Sequence, residues 1–216
     1  MNFNIKHFVF ISVLLFGSTL FSSDKASNEK YINVLSEVEN ILEENHFKKN
    51  VTISSYQIKE KFLNSIDSQK MVFTLSNFNE LSKQTNFNKE HQVEFAFEVF
   101  KKFKEKSFNY FEIQKEAILN ITSENQLETQ HFIFKDREDE NRFDSEDQLI
   151  EYQIKEAKSE LISILLKEKD LSKSKEKLLK RLVNREKSLN RISNDDIFSM
   201  FVNSFTSFYD PHTNYL

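Results

Sequence analysis

The chain has 216 residues, of which 38% are hydrophobic and 30% charged, with a net charge of −4. That suits one sizeable domain or two small ones, and the modest charge gives no global reason to expect a nucleic acid or a membrane surface as partner. Cysteine is absent and Gly17 is the only glycine, which excludes disulfides and thiolate metal sites and argues against tight hairpins, P-loops and dinucleotide folds.

Residues 1–23 have the order of a secretory signal peptide. Lys6 lies in a short leading region, an apolar run extends from Phe8 to Phe21, and Ser22 and Ser23 precede the polar DKASNEK. The run is shorter than the roughly 20 residues of a membrane-spanning helix. Cleavage is expected after Ser22 or Ser23, which places the rest of the chain outside the cytoplasm. The rival readings are an uncleaved anchor and a buried core helix. No later run is apolar enough to span a membrane, and no membrane contact is expected after cleavage.

Helices joined by polar loops are the expected architecture, an all-α domain of six or seven helices over 24–216. Residues 25–46 carry Tyr31, Val34, Leu35, Val38, Ile41 and Leu42 on one helical face. Ser54 with Gln57 forms a capping box that opens a short helix with Tyr56, Phe62, Leu63 and Ile66 as its apolar residues. SIDSQKMVF (65–73) reads as a turn into a short extended piece, and another helix starts near Ser76. A long phenylalanine-rich helix covers 89–118, with a break expected near Ser107. The segment 120–144 has no period, and the acidic stretch from Asp136 to Asp147 reads as a solvated loop. Ser145 with Gln148 is a second capping box, opening a helix to about Leu166. A further helix runs from about Ser172 to Leu189 with Leu178, Leu179, Leu182 and Val183 inward. Ser193 with Asp196 caps the last helix, whose apolar face is Ile197, Phe198, Phe201, Val202 and Phe205. The 23 phenylalanines and absent tryptophan mean that phenylalanine builds much of the core.

The residues that could carry chemistry read as structural. His46, His91, His131 and His212 show no metal-binding spacing, and no HExxH occurs. No GxSxG is present, and Ser172-Lys173 sits at a helix start, where capping and solvation account for it. Asp195 and Asp196 fall in the first turn of a helix, where they complement its dipole. The segment 167–191 holds ten Lys or Arg against four acids. It reads as a solvated helix face or as a docking face for an acidic partner.

The ordered segments FLNSIDSQKMVFTLSNFNEL (62–81), DSEDQLIEYQIKEAKSELISILL (144–166) and KEKLLKRLVNREKSLNRISNDDIFSMFVNSFTSFYDPHTNYL (175–216) resemble the N-terminal domain of the periplasmic tail-specific proteases, also called carboxyl-terminal processing peptidases. The match is most specific at the DPHTNYL end. In the first segment Ser68 stands where proline is usual, and Val72-Phe73 where Tyr-Phe is usual. The resemblance implies a periplasmic helical scaffold preceding a PDZ domain and a serine/lysine endopeptidase core. Asp210, Pro211, His212, Thr213 and Tyr215 would form the junction to that region. No catalytic, cofactor-binding or metal-binding residue is transferred to this chain, and it is expected to be inactive alone. The expected partner is the PDZ/protease portion, if separately encoded, or a periplasmic adaptor protein, with no nucleic acid. The alternative is a stand-alone interaction protein that retains only the fold.

Overall fold

The computed structural model describes residues 23–45, 52–83, 87–128 and 132–209. The apolar run of the expected signal segment, and the junction residues Asp210, Pro211, His212, Thr213 and Tyr215, lie outside the described residues.

Among the described residues there are seven α-helices and no strand. They are α1 (Ser23–Asn45), α2 (Ser55–Ile66), α3 (Leu75–Ser82), α4 (Lys89–Leu119), α5 (Glu146–Glu168), α6 (Leu171–Asn190) and α7 (Asn194–Thr206), with a 3₁₀ turn at Glu124–Leu127. Side-chain caps set most of the starts. Ser54 with Gln57 and Ser193 with Asp196 form complete capping boxes. Thr74 with Asn77 forms a third, which starts α3 one residue before the expected Ser76. At α5 the box is only half built: Ser145 accepts from the Gln148 amide, but the Gln148 side chain accepts from the Asp144 amide instead. Asp170 caps α6 by accepting from the Lys173 amide, so Ser172 is not the cap.

Helix α4 runs unbroken through Ser107, which is buried. It is the central element, packed against α1, α2, α5, α6 and α7. A helix surrounded in this way needs apolar residues on several sides. Val93, Phe95, Ala96, Val99, Phe100, Phe111 and Ile118 provide them.

The core beside α4 is aromatic. Phe62 of α2 meets Phe201 of α7 edge to face at 5.4 Å, and Phe95 of α4 at 6.1 Å. Tyr31 of α1 lies 4.8 Å from Phe198 and 5.2 Å from Phe97. Three residues expected inward are exposed: Ile41, Tyr56 and Val183. Successive helical residues are rotated by about 100°, which carries Ile41 off the Tyr31–Leu35–Leu42 line and Val183 off the Leu178–Leu182–Leu189 line. Tyr56 likewise falls off the side on which Phe62 and Leu63 are buried.

Candidate functional site: a docked loop and the exit of the last helix

The segment after α2 holds the densest polar contacts. Asp67 is 4% exposed. One of its carboxylate oxygens accepts from the amides of Met71 (2.9 Å) and Val72 (3.2 Å), and the other from Phe73 (3.0 Å). These amides are thereby satisfied by a side chain, which is why the expected extended piece forms no strand. Lys70 takes a left-handed backbone, φ 56°, a role glycine usually fills. From there its Nζ donates to the carbonyls of Glu138 and Glu140, both at 2.5 Å.

Arg142 closes the knot. Its Nη1 donates to Asp67 at 2.5 Å and to the Phe73 carbonyl at 3.3 Å, and Nη2 donates to Asn64 at 2.9 Å. The guanidinium lies 4.6 Å from the centre of the Phe78 ring. Burial pushes the Asp67 carboxyl up from the ordinary aspartate value, while Arg142 and the Phe73 and Met71 amides pull against it.

The expectation of a solvated acidic loop is therefore half corrected. Asp136, Glu138, Asp139, Asp144, Glu146 and Asp147 are exposed, but both arginines turn inward. Arg137 lies against the neighbouring rings of Phe143 (4.2 Å) and Tyr152 (4.6 Å) and donates to the Asn141 carbonyl. Gln69 links the two loops by accepting from the Arg137 amide and donating to Asp136, both at 2.9 Å. The loop is folded onto the α2–α3 connection by cations that no local period reveals.

The last helix is fastened at its start as well as along its buried face. Asp195, read from the sequence as a dipole partner, accepts from the Tyr31 hydroxyl at 2.7 Å and from Lys30 at 3.0 Å, which ties α7 to α1. Burial and then Asp195 push the Tyr31 phenol up to about 12. The hydrogen bonds from Tyr31 and Lys30 hold Asp195 below the usual carboxylate range. After Thr206 the chain turns through Tyr209, whose amide donates to the Thr206 carbonyl at 2.9 Å and whose ring packs on Phe205 at 5.6 Å. The described chain is thus packed down as far as Tyr209.

A third cluster lies between α4 and α5. The Tyr110 hydroxyl donates to Glu156, and the Gln114 side-chain amide donates to both, each at 3.1 Å. Burial raises Glu156 above the ordinary glutamate value and, together with Glu156, raises Tyr110 well above the ordinary tyrosine value. A carboxyl whose folded pKa exceeds its unfolded value near 4.5 holds its proton more tightly when folded. Its contribution to stability therefore grows as pH falls from that raised value towards 4.5. Glu156→Gln is expected to flatten this part of the pH dependence, read as melting temperature against pH for both proteins. Parallel curves for the two would show that Glu156 does not titrate there.

Among the described residues no group of three His, Cys, Asp or Glu could hold a metal ion. The His91 amide donates to Asn88, which caps α4, and His46, His131 and His212 lie outside the described residues. The basic segment 167–191 spends part of its charge internally. Glu160 holds Arg185 at 3.0 Å and Arg181 at 3.3 Å, and Lys175 donates to the carbonyls of Leu119 and Ile121 at the end of α4. Lys59, which no sequence pattern singled out, is fully buried with its Nζ 4.5 Å from the centre of the Phe87 ring, and burial lowers its pKa.

Compared with known families, the sequence model described as the tail specific protease N-terminal domain matches residues 38–216. No curated protein matches the chain.

Proposed function

Because the chain belongs to the tail specific protease N-terminal domain family, we propose that it is the helical scaffold of such a protease and supplies no catalytic residue itself. Its role is to support and orient a PDZ domain and a serine/lysine core, reached through the junction Asp210, Pro211, His212, Thr213 and Tyr215. Residues 1–23 direct it out of the cytoplasm, and the periplasm is where it acts. The observation that carries this reading is the anchoring of α7. Tyr31 and Lys30 hold its start, Phe62 packs on its middle, and Tyr209 packs back on Phe205 just before the junction. A helix held at these points offers a defined place of attachment to whatever follows it.

The test uses an unfolded substrate with an apolar C-terminus. The 216-residue chain is expected to leave it intact, and to bind a PDZ–protease portion of the family that is supplied separately. Serine-dependent cleavage by the chain alone would overturn the reading. Failure to bind any such portion would favour the independent interaction protein.

A further inference from the structure

Helix α6 carries a basic stripe that the scaffold role does not use. Lys173, Lys180, Lys187 and Arg191 follow i, i+7, i+14 and i+18 along it, and all are exposed, with exposed Glu176 an acid on the same side. At a rise of 1.5 Å per residue the stripe is about 27 Å long, on the side opposite the buried Leu178, Leu182 and Leu189. Lys180, Lys187 and Arg191 form no ion pair among the described residues, and the contact of Lys173 with Asp170 is loose at 3.9 Å. At the N-terminal end of the stripe the α5–α6 turn adds exposed Lys167 and Lys169 next to Leu166, which is 75% exposed. Both acids of that turn are already engaged: Glu168 with Lys177, and Asp170 as the cap of α6.

We infer that this face of α6 docks on an anionic lipid bilayer. Protein-binding surfaces are depleted in lysine and organised around a buried aromatic or arginine anchor. This stripe is mostly lysine and offers no aromatic. A flat sheet of phosphate headgroups needs no pocket and rewards each cation separately, while an exposed leucine beside lysines suits the apolar boundary below the headgroups. The contact is peripheral, consistent with the absence, among the described residues, of a helix long and apolar enough to cross a membrane. It departs from the sequence expectation, which left this face to solvent or to an acidic partner.

The test is co-sedimentation of the full chain with vesicles of phosphatidylcholine alone and with phosphatidylglycerol added, at low salt. The apolar run of residues 8–21 is itself capable of binding lipid, so the readout is the preference for phosphatidylglycerol, compared between the unaltered chain and the triple variant Lys173→Gln, Lys180→Gln, Lys187→Gln. Each lysine at an anionic surface contributes roughly fivefold in affinity, so the variant is expected to lose about a hundredfold of that preference. All three sites are exposed and glutamine is a good helix former, so unchanged helical circular dichroism is expected to accompany the loss. The inference is overturned if the unaltered chain shows no preference for phosphatidylglycerol, if the variant keeps it, or if the stripe-dependent binding is to a DNA duplex and not to vesicles.

Discussion

Replacing Arg142 with methionine is expected to lower the stability of the fold by about 3–5 kcal/mol, the usual cost of removing one partner from a buried ion pair. The guanidinium is 2.5 Å from Asp67, and the two side chains are only 5% and 2% exposed. Without it the Asp67 carboxyl stays buried with its charge uncompensated, and Asn64 and the Phe73 carbonyl each lose a donor. The loss should not be additive. Asp67→Asn alone leaves Arg142 buried without its carboxylate. The double variant, Asp67→Asn with Arg142→Met, removes both charges and should cost less than the sum of the two single changes. Urea denaturation followed by helical circular dichroism gives the three values. Hydrogen exchange at the amides of Met71, Val72 and Phe73 gives a local readout, because all three donate to Asp67. A cost below about 1 kcal/mol for Arg142→Met would mean that water replaces the guanidinium freely, and the loop would then not be docked by this pair.

This knot is built from contacts that no local sequence pattern encodes. Helices and caps are local: Ser54 with Gln57 and Ser193 with Asp196 lie three residues apart, and their geometry follows from that spacing. The apolar faces are nearly as local, with the errors at Ile41, Tyr56 and Val183 falling off the buried lines of their helices. Arg142 and Asp67 are 75 residues apart, and Lys70 reaches carbonyls 68 and 70 residues away. No period links such groups, so a stretch dominated by acids reads as solvated although two arginines inside it point into the core. The family resemblance included Asp67 in its first segment but assigned it no role. Its role comes from the amides of Met71, Val72 and Phe73 that follow it, which the left-handed Lys70 helps to bring round. The Tyr110–Gln114–Glu156 cluster was hidden for a similar reason, since each residue alone fits a polar helix surface. The expected junction residues Asp210, Pro211, His212, Thr213 and Tyr215 lie outside the described residues, which end at Tyr209.

The second large effect is expected at Phe201. Truncation of a fully buried phenylalanine to alanine costs about 3–5 kcal/mol, because the neighbours collapse only partly into the space left behind. Phe201 is 0% exposed and meets Phe62, also 0% exposed, edge to face at 5.4 Å. Phe62 in turn touches Phe95 of α4, so this ring joins α7 to two other helices. Part of the loss belongs to the ring pair itself, about 0.5–1.5 kcal/mol beyond burial. A cycle of Phe62→Ala, Phe201→Ala and the double variant should therefore show a coupling of that size. The functional consequence follows from position. Phe201 lies between the tether of α7 at Asp195 and its exit at Tyr209, so loosening it frees the exit while the Tyr31–Asp195 bond still holds the start. Truncation of half-buried Phe208, which lies beyond the end of the helix, removes less packing and should be milder. In urea denaturation Phe201→Ala should shift the midpoint far more than Phe208→Ala does. If the two shifts were equal, α7 would not be held by its aromatic core, and the anchoring that carries the proposed scaffold role would be lost with it.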